Sequence, residues 1–174
     1  MARRRTAKPI EVPEPPEVKR FIKLEPLQVI GIPILAAVVI AGFLGAFDDR
    51  SARSDSRGAP LAMHVEFPSR VQYEQSSQLL IEVRNESARP ARAVAIAIDR
   101  TYLEGFETPS FVPEPHAITP AAYLIEVGDI QAGEVRRLAV ALRPEKVGRQ
   151  EGQVHVSSAG RLLAVIDLST FVFP

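Results

Sequence analysis

Residues 79–99 read LLIEVRNESARPARAVAIAID. The stretch holds two alternating runs separated by turn-forming residues. Leu79, Ile81 and Val83 fall on one side of the first run, and Val94, Ile96 and Ile98 alternate with alanines in the second. A period of two sends successive side chains to opposite faces of an extended chain, so each run predicts a β-strand with one apolar face. Between them, Asn85-Glu86-Ser87 and Pro90 supply turn chemistry.

Outward from this stretch the same period recurs. LAMHVEF aligns Leu61, Met63, Val65 and Phe67; YLIEV offers Tyr123, Ile125 and Val127; RLAVALR offers Leu138, Val140 and Leu142. GQVHV and LLAVIDLSTFVF close the series, and Tyr102 to Phe106 leaves room for one more strand. Gly128-Asp129, Ala132-Gly133-Glu134, Gly148 and Ser157-Ser158-Ala159-Gly160 read as turns. No segment shows sustained helical periodicity in this part of the chain. Seven or eight short strands, each with one apolar face, predict an all-β fold, an immunoglobulin-like antiparallel β-sandwich over residues 61–174, because two such sheets bury each other's faces.

The stretch quoted first, followed by GDIQAGEVRRLAVALRPEKVGRQEGQVHV, resembles the bacterial immunoglobulin-like domains of the cell-adhesion-related type. Those domains repeat an alternating strand ending near an Asn, a second strand, and an Ala-Gly-Glu turn before a strand that pairs with a Gly-started neighbour. The resemblance covers roughly residues 71–156 and implies a fold, not a function. The chain departs from antibody-type domains in lacking their cysteine pair and buried Trp.

Ahead of the strands lies LQVIGIPILAAVVIAGFLGAF, residues 27–47, with no charge and Gln28 as its one polar residue. At 1.5 Å per residue it spans about 31 Å, the thickness of a bilayer's hydrocarbon core. A core helix of a soluble domain would show a polar face, and none appears. The segment is too long for a signal-peptide core and offers no small-x-small exit, so an uncleaved transmembrane helix is expected. Ala37, Ala41 and Gly45, with Gly42 beside them, recur at a spacing that lets another helix approach closely. The same residues are also simply common in membrane helices. Pro33 removes one backbone hydrogen bond and is expected to bend the first turns.

Residues 1–26 form a basic, proline-rich tail with seven Lys or Arg against four Glu, whereas three Arg follow the helix before Leu61. The positive-inside rule therefore places the tail in the cytoplasm and residues 61–174 outside, in the periplasm of a bacterial inner membrane. The arginine and alanine bias, an association with GC-rich genomes, favours a bacterial source. Lys19, Arg20, Phe21 and Lys23 suit the lipid interface, or serve only to set topology. DDRSARSDSRGAP, residues 48–60, has no apolar run and reads as a flexible linker.

Chemistry is sparse. The chain has no cysteine, which removes disulfides, thiolate metal sites and thiol nucleophiles. From Leu61 onward eleven basic residues face fourteen acidic ones, so nothing supplies the basic excess that nucleic acid demands. His64, His116 and His155 are scattered without a second ligand at metal spacing. No P-loop, dinucleotide fingerprint or nucleophile elbow occurs, and the reading is no enzyme, no cofactor and no small-molecule substrate.

The irregular insertion TYLEGFETPSFVPEPHAITPAA carries Tyr102, Phe106, Phe111, Pro113 and His116. Long structureless loops in sandwiches are often functional, and displayed aromatics anchor interfaces, so these five residues are expected to bind a partner. The competing expectation is that the rings fold back to cap the sandwich. Together the features predict a single-pass accessory subunit that docks on and stabilises a larger bacterial membrane complex, respiratory or photosynthetic, with membrane lipid and other membrane subunits as partners. A tethered adhesion module for an envelope polymer or surface protein, and an assembly factor, are the alternatives.

Overall fold

The computed structural model describes residues 26–43 and 50–174. The chain forms two units, Met1–Leu44 and Gly45–Pro174. The first contributes helix α1, Pro26–Phe43, in which proline occupies the first helical position, where its missing N–H costs no bond. The helix continues through Pro33. Its 18 residues extend about 27 Å. Among the described residues, no helix is long and apolar enough to cross a membrane. Ile30, Ile32, Ile34, Leu35, Val39 and Ile40 are 49–67 % exposed. Of the small-residue face, Ala37 is exposed, Ala41 and Gly42 lie in the helix, and Gly45 falls outside the described residues, as do Lys19, Arg20, Phe21 and Lys23.

The second unit is built from ten strands: β1 Arg50–Gly58, β2 Leu61–Gln72, β3 Ser77–Asn85, β4 Ala91–Asp99, β5 Ser110–Val112, β6 Ala117–Ile118, β7 Ala122–Ile130, β8 Val135–Leu142, β9 Gly148–Ser158 and β10 Arg161–Phe173. One helical turn, α2 Arg100–Leu103, follows β4. Hydrogen bonding runs in the order β5-β8-β3-β2-β10-β9-β4-β7-β6, with β1 added to β2. Every pairing is antiparallel except β2 with β10, which is parallel over three register pairs from Phe171↔Arg70 to Phe173↔Gln72. That short parallel contact divides the order into two sheets, β1-β2-β3-β8-β5 and β10-β9-β4-β7-β6. Their inner faces share one core, giving a sandwich of the immunoglobulin-like kind.

The core is the set of residues that alternation selects. Leu61, Met63, Val65 and Phe67 of β2 meet Leu79, Ile81 and Val83 of β3, Leu138, Val140 and Leu142 of β8, and Val94, Ile96 and Ile98 of β4, all buried. Ile125 is buried completely, while Tyr123 and Val127 pack partly buried against the cluster. Val154 and Val156 of β9 and Ala164, Ile166 and Leu168 of β10 complete it.

Three local expectations need correction. The segment read as a linker is β1, paired with β2 from Arg50↔Arg70 to Gly58↔Leu61. Its alternation is one of size and charge: Ala52, Ser54, Ser56 and Gly58 are half-buried while Arg53, Asp55 and Arg57 are exposed. The extra strand expected near Tyr102 is α2 instead. Gly128 and Asp129 form no turn; they lie within β7, where the pairing with β4 shifts register and Asp129 Oδ1 accepts a 2.9 Å hydrogen bond from the N–H of Ala93. The Ala159-Gly160 turn holds, with φ of 48° and 75°, the two left-handed residues a tight hairpin requires.

Among the described residues Asn85 is the one fully buried amide, and it locks the end of the sandwich opposite Arg50. Its Nδ2 donates to the carbonyls of Arg89 at 2.7 Å and Ile130 at 2.9 Å. Its Oδ1 accepts from the N–H of Ser87 at 3.0 Å and from Ser87 Oγ at 2.8 Å. The backbone of Asn85 bonds Glu134 and Gly133 as well, so one residue ties the β3–β4 loop to the β7–β8 turn. Replacing it strands the buried Ile130 carbonyl, and Asn85→Ala is expected to cost about 2–4 kcal/mol. Chemical denaturation followed by far-ultraviolet dichroism checks this; an unchanged midpoint would remove Asn85 from the role of clamp.

Candidate functional site

Of the two expectations for segment 101–120, display of its aromatic rings or capping of the sandwich end, the rings follow the second. Tyr102 is completely buried, and Phe106 and Phe111 are 5 % and 8 % exposed. Their burial withdraws all three as partner contacts in the folded domain. Tyr102 and Phe106 pack with ring centroids 5.3 Å apart, and Phe111 stacks on Tyr123 at 5.1 Å. The physical reason is open core at this end of the sandwich, which three large rings fill.

Backbone bonds hold the segment down. Glu107 donates its N–H to the Arg143 carbonyl, and Glu145 and Lys146 donate theirs to the carbonyl of Gly105. Gly152 is required beneath it, because a Cβ there would sit 2.6 Å from the Cβ of Tyr102. The Tyr102 hydroxyl lies 2.8 Å from Thr170 Oγ1, which in turn donates to the Pro68 carbonyl at 2.5 Å. Burial pushes the Tyr102 phenol up to about 12, against a smaller lowering by the Thr170 bond.

What the segment does display is its rim. Pro113 and His116 are exposed as expected, with His116 Nδ1 3.8 Å from a Glu126 carboxylate oxygen. Val112 and Ile118, at 69 % and 59 % exposed, are the apolar residues actually shown, and neither was singled out from sequence. The signal was present in the triplet Ser110-Phe111-Val112: once Phe111 points inward, a period of two turns Val112 outward. Both residues lie on edge strands, β5 and β6, each paired on one side only. Their shortness, three and two residues, limits what can add to these edges.

The outer face of the first sheet carries in-register rows. Asp55, His64, Glu82 and Arg137 are successive partners across β1, β2, β3 and β8. His64 Nδ1 donates to Asp55 Oδ1 at 2.5 Å, and Arg137 pairs with Glu82. In the next row Arg53 lies 3.5 Å from Glu66, and Leu80, Ala139 and Val112 continue it as an apolar strip. Exposed pairs of this kind add little stability each, about 0–1 kcal/mol, and mainly keep the face soluble. His155, on the other sheet's outer face, stands 3.5 Å from Asp99. Among the described residues no group of three or more His, Asp or Glu is placed to hold a metal ion.

No protein-family model and no curated protein matches the chain. Solved structures resembling it include immunoglobulin-like sandwiches. The CARDB domain of a Pyrococcus furiosus protein, solved by NMR, aligns over 65 % of this chain and 94 % of its own length, with 11 % identity and a TM-score of 0.46. A Caenorhabditis elegans member of the MSP family aligns over 61 % of this chain and 94 % of its own, at 11 % identity and TM-score 0.36. A PapD-like domain of human CEP192 covers 67 % of this chain and 87 % of that one, at 10 % identity and TM-score 0.33. The likeness concerns the fold alone.

The buried phenol makes stability depend on alkaline pH with a defined sign. The unfolded chain ionises Tyr102 near 10 and the folded chain only near 12, so the stability that burial of the neutral phenol contributes is complete below pH 10. It is then lost as pH rises through 12, by at most roughly 3 kcal/mol. Denaturation midpoints are expected to fall across this window in the native chain and to fall less steeply in Tyr102→Phe. Equal slopes for the two proteins would refute the assignment.

Proposed function

We propose that this protein is a membrane-tethered accessory subunit that works by contact: α1 and the apolar residues after it anchor it, and the sandwich docks on a larger membrane complex. The observation that carries the reading is the apolar surface of α1. Six large aliphatic side chains on an 18-residue helix stand about half to two-thirds exposed, on positions that circle the helix axis instead of sharing a stripe. A helix apolar all round requires lipid or protein around it. The sequence continues apolar through Leu44, Gly45, Ala46 and Phe47, which brings the uncharged stretch to the length of a bilayer core.

In this reading Ala37, Ala41, Gly42 and Gly45 form the face that meets a neighbouring helix, and the basic tail with Lys19, Arg20, Phe21 and Lys23 stays on the cytoplasmic side. The sandwich stands in the periplasm. Its displayed rim of Val112, Pro113, His116 and Ile118 supplies a contact surface in place of the buried aromatics. Membrane lipid and other subunits are the partners, and no catalysis is assigned.

Two measurements test this. The native chain should stay with membranes after alkaline carbonate washing and co-purify in mild detergent with other membrane proteins, while removal of residues 27–47 should release it. A native chain that washes off, or that migrates alone in mild detergent, ends the subunit reading. Ala37→Leu with Ala41→Leu should weaken co-purification without releasing the chain from the membrane, since bulky residues block close helix approach but favour lipid.

A further inference from the structure

The arginines of the sandwich divide by end. Arg53, Arg100, Arg136, Arg137, Arg143 and Arg149 each pair with a carboxylate, and Arg50 and Arg70 are engaged as well. Arg57, Arg84, Arg89, Arg92 and Arg161 are exposed, and their guanidinium groups have no partner among the described residues. All five lie at the end that Asn85 locks. Arg57 and Arg84 stand one residue from the ends of β1 and β3, Arg89 is in the β3–β4 loop, and Arg92 and Arg161 stand at the starts of β4 and β10. Carboxylates are not scarce, since acidic residues outnumber basic ones from Leu61 onward.

The backbone beneath these side chains is fixed. Asn85 Nδ2 holds the Arg89 carbonyl at 2.7 Å, and the Arg92 carbonyl accepts from the N–H of Ala159 at 3.1 Å and from Ser158 Oγ at 2.7 Å. A guanidinium on an ordered backbone loses less freedom when it binds. The acidic groups at this end do not balance the five. Glu86 is exposed, Asp129 accepts the Ala93 N–H, and Glu134 is paired with Arg136. Five guanidinium groups against Glu86 and Asp129 leave an excess of three positive charges.

Two of the five flank a cleft. Arg57, Ala62, Arg84 and Val135 are successive register partners across β1, β2, β3 and β8. Ala62 is too small to fill the space between its neighbours, and the cleft that results is about 250 Å³, with the two arginine backbones about 10 Å apart. Asp55 and Glu82 also line it, each already paired, with His64 and with Arg137. Glu86 lines it unpaired, and Val135 borders it 40 % exposed. A carboxylate seated over Ala62 can accept bidentate bonds from a planar guanidinium on either side, while its methylenes meet Val135.

Charge selects the occupant. A polyphosphate or a lipid surface presents dense negative charge, which Asp55, Glu82 and Glu86 would repel at close range. Carboxylates spaced along a polypeptide reach the arginines and leave neutral or donor groups for the acidic side chains. We propose that the Asn85 end of the sandwich docks an acidic segment of a partner protein, with one of its carboxylates clamped between Arg57 and Arg84 and the others met by Arg89, Arg92 and Arg161. All of these residues belong to the sandwich, so the site stands whether or not α1 is a membrane anchor.

The test uses the full chain in non-ionic detergent and a fluorescent peptide alternating Glu and Ser, with a Lys-Ser peptide and a deoxythymidine oligomer of equal charge as competitors for the reading. The Glu-Ser peptide should bind, the Lys-Ser peptide should not, and salt near 0.5 M should weaken binding by screening. Arg57→Gln with Arg84→Gln should lower affinity about tenfold, Arg57→Lys with Arg84→Lys should recover part of it, and Arg143→Gln with Arg149→Gln should leave it within about twofold. In the unsubstituted chain, the peptide should protect Arg57 and Arg84 from phenylglyoxal, read by mass spectrometry, more than Arg143 and Arg149.

Absence of binding, equal protection of all four arginines, or equal losses in the two glutamine pairs overturns the site. Tighter binding of the deoxythymidine oligomer overturns the choice of an acidic protein segment in favour of a phosphate polymer. Phenylglyoxal protection is read without any substitution, so a variant that fails to fold does not shield the proposal. No membrane is present in these measurements, so their failure is distinct from release of the chain by carbonate.

Discussion

One strand belongs to both sheets, and the rest of the sandwich is arranged around that fact. β2 runs twelve residues, spending its first half in a ladder with β3 and its last three residues beside β10. A two-sheet sandwich must close its open side, or the core leaks solvent between the sheet edges. Here the switch closes one end and β1 fills the gap above it, with Gly58 so near the Leu163 backbone that a Cβ would stand 1.7 Å from its carbonyl oxygen. The small inward residues of β1 are thus a consequence of where it lies: between two sheet edges there is room for Ser, Ala and Gly and for little else.

The same constraint explains what sequence could and could not reveal. Strands that give a whole face to the core advertise it, and Leu61, Met63, Val65, Leu79, Ile81, Val83, Val94, Ile96 and Ile98 were all legible as inward residues because nothing competes with burial for their identity. β1 was not, since a strand in a gap alternates small with charged and reads as linker. For segment 101–120 the sequence left display and capping open, for the converse reason. Its aromatics are spaced by α2 and by one short edge strand, so no period marks them as inward, and proline-rich surroundings suggest display. Burial was decided by space left at the sandwich end, a tertiary property that local sequence does not encode.

Polar burial follows the same economy. Asn85 and Thr170 are the polar residues fully buried among those described, and each joins a strand to a segment outside the sheets. Asn85 meets both carbonyls and donors at one end; Thr170 joins Tyr102 to the Pro68 carbonyl at the other. No buried side-chain polar atom among the described residues lacks a partner. Because an unpaired buried group costs more than a paired one contributes, these two networks specify which loops meet which strands more than they add to net stability. The resemblance noted from sequence, an alternating strand ending near an Asn, therefore rests on a residue with a mechanical role.

The two ends of the sandwich are then chemically different, and the difference bears on function. The end with Asn85 is tied by hydrogen bonds among loops. At the end with Arg50, β2 cannot stay with β3 and also reach β10, so the switch that closes the core exposes a cleft, and the register it imposes sets Arg50, Arg70, Phe171 and Arg149 in one row. The entry strand β1 begins in this row, so the chain enters the domain from the side of α1 at this end. The Val112–Ile118 rim, on the edge strands β5 and β6, stays exposed and is the apolar surface that segment 101–120 displays.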